Sequence, residues 1–504
     1  MKKIASGYRL ILGYLGIFIF VVGVIILLPL VMLIVPSYRE TDIVYLWHFL
    51  IPGLSSIVIG LGLNFLFLYK KEKAKLGKHQ DAILLVSLWI VAILISAIPF
   101  FATGELSFTE SVFESTSGYA AVGLTRFVTT TNGISQNSVL FESHVFTFYR
   151  ALTQFFGGVG LVLVVTSAIS DKYGLKLYTA EGHNDRLIPN LSKSARLILS
   201  MYVGFILLGT ISLCIAGVEF FDAMCHSISA VATGGFATKP GGMLEYGGNL
   251  IAVEIITEIL MILGATNFVL HMFLLLGRFK KVGRDIEIKT FGIVCLIFIP
   301  LMFATFFSSG LDAWESIRYG TFSFLSCITT TGYTNIADIA IIPSAGFMLL
   351  TVCNVIGAGM GSTAGGIKFY RLAIACKSYY WTLRAKLSPR RYIYPNYIVR
   401  LGDVREVSKE DSNEAFGYIL LYLIVMFIGG FLVSIIGSFD YGKSLFEFSS
   451  ALSGTGFTNG LTASANYGTL WVLIIGMFAG RLEILIIHYA FYRIARDIFR
   501  KETI

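Results

Sequence analysis

The sequence predicts an all-α polytopic membrane protein with a fourfold internal repeat. Three observations carry that prediction: long apolar runs, a one-sided distribution of basic residues, and four glycines set in one recurring frame. The chain has 504 residues, 55% of them hydrophobic and 14% charged, against about 25% charged in ordinary soluble proteins. Runs at 10–35, 82–102, 197–216, 249–276, 416–437 and 467–487 approach or exceed the roughly 20 residues that cross a bilayer as a helix. The first is too long for a removable signal peptide and lacks a cleavage-like site.

A net charge of +8 would suit a nucleic-acid partner, but its distribution argues against one. Lys and Arg cluster at both ends and in 69–81, 171–196, 278–289 and 377–409, the segments that join every second span. The intervening segments hold only Arg39, Arg126, Lys239, Arg318 and Lys443. This is the positive-inside asymmetry. It places both termini in the cytoplasm and requires an even number of crossings. The six cysteines form no CxxC pair, which reads as buried thiols rather than disulfides or a zinc site. No Walker-type phosphate loop and no HExxH metal motif is present.

The repeat emerges when Gly123, Gly235, Gly332 and Gly456 are aligned without gaps. Six residues before each stands a serine: Ser117, Ser229, Ser326 and Ser450. Five before is a small residue (Gly118, Ala230, Cys327, Ala451), and directly after comes a bulky one (Leu124, Phe236, Tyr333, Phe457). Each glycine lies between two long apolar runs on the side poor in Lys and Arg. A short apolar segment such as 220–231 or 441–452 precedes it, too short to cross and better suited to a re-entrant helix. A single such unit is equally well explained as a small-residue packing seam; four in one frame argue for a shared task. With the runs at 10–35 and 45–68 placed before the first unit, the expected total is ten crossings.

An ion inside a bilayer needs a replacement for its water shell, and backbone carbonyls converging from several sides supply one. Glycine permits the dihedrals that aim successive carbonyls alike. Non-helical backbone survives at this depth only if buried or lining a cavity, and helix C-termini aimed at the axis favour a cation there. The candidate ion ligands are therefore Ala121, Val122, Gly123 and Leu124 in the first strand, and Thr233, Gly234, Gly235 and Phe236 in the second. The third strand adds Thr330, Thr331, Gly332 and Tyr333, and the fourth Gly454, Thr455, Gly456 and Phe457.

The stretch TTTGY resembles the TVGYG filter of potassium channels, without its second glycine. With FYRALTQFFGGVGLVLV after the first glycine strand, GMGSTAGGIKFYR after the third and AGRLEIL near the end, the whole chain resembles the Trk/Ktr/HKT superfamily of cation transporters, TrkH type. The resemblance implies four pseudo-repeated helix–pore helix–helix units around one pore plus two N-terminal transmembrane helices. It implies potassium as the carried ion, no enzymatic activity, and no cofactor in this chain. It further implies a homodimer in the cell membrane, working with a separate cytosolic nucleotide-binding ring of TrkA type. The expected division is a two-helix extension at 1–81 and pore repeats at 82–196, 197–289, 290–410 and 411–504. One departure stands out: Ala120 and Ala121 supply no hydroxyl where relatives carry one.

The segment 344–376 is too long for one crossing and holds Gly357, Gly359, Gly361, Gly365 and Gly366. Each glycine weakens a helix by about 1 kcal/mol relative to alanine, so the helix should break. The competing explanation is a close-packed helix seam. The resemblance makes 354–368 an intramembrane gating loop, with Lys368 and, from the last span, Arg481 as its charged members. Arg481 has two readings: a structural ion pair with Glu483, Glu254 or Glu258, or a cationic barrier in the pore. Glu254 and Glu258, and Asn267 and His271, share helix faces; helix–helix hydrogen bonding is favoured over a proton relay. Arg150 reads as a structural anchor. The segment 377–409, with Arg384, Arg390, Arg391, Arg400 and Arg405, is either a partner-docking surface or ordinary positive-inside topology. Channel-like conduction and coupled symport both stay open. A sodium or mixed-cation pathway is the alternative, and an intramembrane protease a distant one, since no GxSxG motif or catalytic pair accompanies His144, His226, His271 and His488.

Overall fold

A computed structural model describes residues 8–68, 80–131, 134–160, 191–388 and 396–499. Six helices among these are long and apolar enough to cross a membrane: the segments Tyr8–Ile34, Pro36–Leu68, Asp81–Ala102, Lys193–Ile215, Ile286–Ser308 and Lys409–Gly437. Two further spans are bent pairs, Leu250–Ala265 with Phe268–Leu275 and Tyr467–Arg481 with Ile484–Arg496, turned by 109° and 98°. The continuous runs expected at 249–276 and 467–487 are thus each broken. Asn267 starts a new helix by accepting a hydrogen bond from the Val269 N–H. Glu483 takes a left-handed φ of 56° that no helix contains. The other two expected crossings correspond to His144–Val159, which leads into residues outside the described set, and to the interrupted segment of Ser344–Ile356 and Phe369–Leu387.

The spans turn side chains such as Val58, Leu208 and Leu296 outward, each more than 60% exposed, which suits a lipid environment rather than water. The chain is a helical polytopic membrane protein. The first two helices, Tyr8–Leu27 and Leu46–Leu68, pack through glycines at heptad spacing. A β-carbon on Gly16 would meet the Gly60 carbonyl at 2.7 Å, and one on Gly23 the Gly53 carbonyl at 2.7 Å. Helices lacking a hydrophobic drive toward each other need such close backbone approach to associate.

Four shorter helices point inward: Phe108–Tyr119, Phe220–Val231, Ala313–Ile328 and Tyr441–Ser453. We call these pore helices 1 to 4. Twelve residues span only about 18 Å at 1.5 Å per residue, short of the roughly 30 Å hydrocarbon core. Their starts are chemically marked. Ser107 and Glu110 form a reciprocal capping box on pore helix 1, and Asp312 and Asp440 cap pore helices 3 and 4. Two small hairpins are the only β-structure among the described residues. One joins Val128–Thr131 to Ile134–Asn137 and the other Tyr397–Arg400 to Asp403–Glu406.

Candidate ion pathway

All four pore helices end in the same way. The residue two before each marker glycine turns left-handed: Ala121 (φ 51°), Thr233 (51°), Thr330 (55°) and Gly454 (78°). Its N–H bonds back to the carbonyl three residues earlier. The next N–H bonds five residues back, to Ser117, Ser229, Ser326 or Ser450. This is a Schellman-type stop, and it fixes the register between the position six residues before the glycine and the strand. The glycines then take φ of 97°, 76°, 89° and 79°. Left-handed geometry at both positions costs a β-carbon-bearing residue about 1–2 kcal/mol.

The four strands close on one another. A β-carbon on Gly123 would collide with the carbonyl oxygen of Gly234, and one on Gly235 with that of Thr331. One on Gly332 would strike Thr455, and one on Gly456 would strike Val122. Each glycine therefore abuts the carbonyl of the residue one place earlier in the next strand, and the fourth returns to the first. The ring has no room for any side chain at these positions.

Polar residues behind the ring hold its outer rim. Glu114, fully buried, receives the Arg150 guanidinium at 2.7 Å, the Thr125 hydroxyl at 3.0 Å and the Arg126 N–H at 3.0 Å. Arg150 also donates to the Ala237 carbonyl and lies over the rings of Phe236 and Phe127, at 4.0 and 4.3 Å. It anchors the first and second strands together. Glu447, at the same place in the fourth repeat, accepts from Thr458, Asn459 and Thr462. Removing one partner of a buried ion pair costs about 3–5 kcal/mol. Arg150→Met should therefore lower the thermal midpoint in detergent substantially, and Arg150→Met with Glu114→Gln should recover most of the loss. A single variant as stable as the unsubstituted protein would contradict the anchoring.

Some expected ligand groups are already engaged. The Phe236 carbonyl accepts from the Tyr333 hydroxyl at 3.0 Å, and the Tyr333 carbonyl from the Ser326 hydroxyl at 2.6 Å. The Gly234 carbonyl accepts from the Gln154 amide at 2.6 Å. The hydroxyls of two strand threonines also have protein partners: Thr233 contacts Thr363 at 3.1 Å, and Thr330 accepts from the Gly365 N–H at 2.9 Å.

Those partners belong to the glycine segment. Helix Ser344–Ile356 stops at Gly357, where φ is 66°, and helix structure resumes at Phe369. The intervening chain lies directly beneath the ring. Thr363 bonds to the Gly264 carbonyl at 2.9 Å, and a β-carbon on Gly365 would strike the Ser453 carbonyl. The break between Ala265 and Phe268 receives it: Gly359 N–H donates to Ala265, Thr363 N–H to Gly264, and Asn267 donates to Met360. Glu287 accepts from the Met360 N–H at 3.1 Å, and Arg400 of the second hairpin reaches the Met360 sulfur at 3.5 Å. Glycine density marks this segment in the sequence, and Asn267 has the hydrogen-bonding character expected of it; the role of Glu287 is not visible there because its partner lies 73 residues away.

Below the ring lies a cavity of about 30 Å³, room for roughly two water molecules. Ala120, Ala121, Ser453 and Gly454 form its upper wall, and Ser362 to Gly366 with Lys368, Tyr418, Gly480, Arg481 and Glu483 the rest. Arg481 donates to the carbonyls of Thr363, Gly157 and Gly158. Of the carboxylates weighed as its partners, Glu254 pairs with Arg318 at 2.5 Å, and Glu483, which shares the cavity wall with Arg481, pairs with Arg371 at 2.8 Å.

A helical membrane chain whose re-entrant strands close such a ring, over a small polar cavity, has the architecture of a transport protein for small ions. The chain belongs to the TrkH family: the family described as "TrkH: Cation transport protein" matches residues 48–497, so this is a cation transport protein and not an enzyme. It is 29% identical over 435 residues to the Trk system potassium uptake protein TrkH of Escherichia coli K12, covering 82% of this chain and 85% of that one. An uncharacterised cation transporter of Methanocaldococcus jannaschii is 26% identical over 486 residues, covering 94% of this chain and 93% of its own. The crystal structure of the potassium transporter TrkH from Vibrio parahaemolyticus shares the fold, with a TM-score of 0.75 at 22% identity over 94% of this chain and 98% of that one.

Proposed function

We propose that this chain carries potassium across the cell membrane through the glycine ring, with the segment beneath it as the gate. The observation that carries the proposal is the cyclic abutment of Gly123, Gly235, Gly332 and Gly456 on successive strands' carbonyls. A ring of main-chain oxygens is suited to replace the hydration shell of an alkali cation. The carbonyls from two before to the glycine itself make the inner cages. The oxygens one place beyond contribute less in the second and third strands, where Tyr333 and Ser326 already donate to them. Names of relatives such as the potassium uptake proteins support potassium as the cargo.

In the arrangement described, Lys368 and Arg481 put positive charge beside the cavity that an ion would enter after the ring. We assign the closed gate to these two with Gly357 to Gly366. The distribution of the basic segments supports a cytoplasmic position for both termini. A homodimer with a TrkA-type cytosolic ring docked on 377–409 fits this chemistry, since Arg400 in that segment touches the gate at Met360; Arg390 and Arg391 lie outside the described residues. A sodium-permeable or mixed-cation pathway is favoured by one observation, the missing hydroxyls at Ala120 and Ala121.

The test is flux into liposomes holding the purified chain. Potassium and rubidium should enter well ahead of sodium. Equal entry of sodium would establish the mixed pathway, and no cation flux with or without a cytosolic partner would overturn the proposal.

A further inference from the structure

Gln154 lies outside the glycine frame, on the helix His144–Val159 that follows the first strand, yet its side chain serves the second strand. Its amide nitrogen donates to the Gly234 carbonyl at 2.6 Å. Its amide oxygen accepts from the Ser229 hydroxyl at 2.5 Å and from the Phe236 N–H at 3.3 Å. One fully buried side chain thus grips the strand at the residues before and after Gly235, and grips the pore helix that leads into it. The fit is also steric: a β-carbon on Gly234 would collide with the Gln154 amide. Glycine is therefore required at 234 to admit the glutamine.

Among the described residues the other repeats show no such grip. Asn354, on the second helix of the third repeat, also reaches the next pore helix, but only through a 3.4 Å contact to Ser449. It is one methylene shorter, its side-chain oxygen is buried without a partner, and the strand it faces carries Thr455 where the second strand carries Gly234. The Thr455 hydroxyl bonds instead within its own strand, to Ser453 at 2.7 Å. The second strand is thus fixed by a neighbouring repeat, whereas the fourth is fixed by itself.

We infer that Gln154 is a specificity-determining positioning residue for the ion ring: its amide sets the direction and the effective charge of the Gly234 carbonyl. This rests on the reading of the ring as the selectivity filter. An oxygen that accepts an N–H keeps a second lone pair for a cation, but the donor draws on the same electron density and fixes where that lone pair points. Discrimination between alkali ions depends on the number and field strength of the oxygens around the ion. A carbonyl released from its donor changes both. A Gln154→Glu replacement keeps the size and the acceptor for Ser229 and Phe236 but sets an oxygen against the Gly234 oxygen. Gln154→Leu removes both halves of the grip.

The experiment compares potassium and sodium flux in liposomes for the unsubstituted chain, Gln154→Glu, Gln154→Leu and the milder Ser229→Ala. Fold is checked by size-exclusion chromatography. The readout is the flux ratio within one preparation, which does not depend on how much protein inserts. The expected result is a potassium-to-sodium ratio at least about fivefold lower in Gln154→Glu, with Ser229→Ala shifted the same way by less. If both Gln154 variants fail to fold, the Ser229→Ala shift alone decides. Ratios within twofold of the unsubstituted chain in every folded variant overturn the assignment. An unsubstituted chain without ion preference would sink the filter reading itself, and the assignment with it.

Discussion

Arg481→Ala should raise potassium flux per inserted protein by about tenfold or more. The side chain sits at the wall of the cavity below the ring. A cation there would lie within roughly 6–8 Å of the guanidinium, and two unit charges at that distance repel by about 2–3 kcal/mol at an effective dielectric of about 20. Each 1.4 kcal/mol is a factor of ten in rate. Lys368 remains in the same wall, and Glu483 there offsets part of the positive charge, which keeps the effect below the full amount. The charge is held there without a lipid penalty because Arg481 donates to Gly157 and Gly158, at the negatively polarised end of helix His144–Val159. Arg481→Lys keeps the charge and should leave flux nearly as low as in the unsubstituted chain. The measurement is rubidium-86 or potassium uptake normalised to inserted protein; equal uptake in Arg481→Ala and the parent would remove Arg481 from the gate.

Gly332→Ser should abolish preference for potassium over sodium, a fall of an order of magnitude or more in the flux ratio. At this position φ is 89°, and a β-carbon would strike the carbonyl of Thr455 and crowd the backbone of Gly456 and Phe457. The strain of a left-handed residue, about 1–2 kcal/mol, adds to an overpacking cost of about 1–3 kcal/mol. Both are relieved by moving the fourth strand outward, which widens the ring between the third and fourth strands. The smaller ion of larger hydration cost then no longer has to meet a fixed set of oxygens. Competition between potassium and sodium in a flux assay reads the effect directly. A serine variant that folds and still prefers potassium by the parent's margin would place the filter elsewhere.

Much of this arrangement could be read from the residues alone, for reasons that are local. The serine six before each glycine and the small residue five before it belong to a helix stop made entirely within one repeat. Short-range chemistry of that kind leaves a periodic trace. The broken segment 357–368 was legible for the same reason, as a density of glycines no helix tolerates. The bends at 266 and 483 were not legible, because Asn267, Arg481 and Glu483 mark polar points in apolar runs without saying whether the chain turns there, and the partners that hold them lie elsewhere in the chain. Glu483 is held by Arg371 at 2.8 Å, and Asn267 by the Met360 carbonyl. Gln154 stands inside the motif FYRALTQFFGGVGLVLV, yet its role cannot be seen there, since its partners are 75 to 82 residues away. Long-range polar contacts have no period to betray them.

Gathering four strands into a single polypeptide has an evolutionary consequence. In an assembly of identical subunits, one codon change alters every quadrant at once, and most such changes are lethal to conduction. Here the left-handed residue is alanine, threonine, threonine and glycine in turn. If the ring is the ion pathway proposed above, one quadrant can change while the other three stay as they are, so a new preferred ion can be reached by quarters.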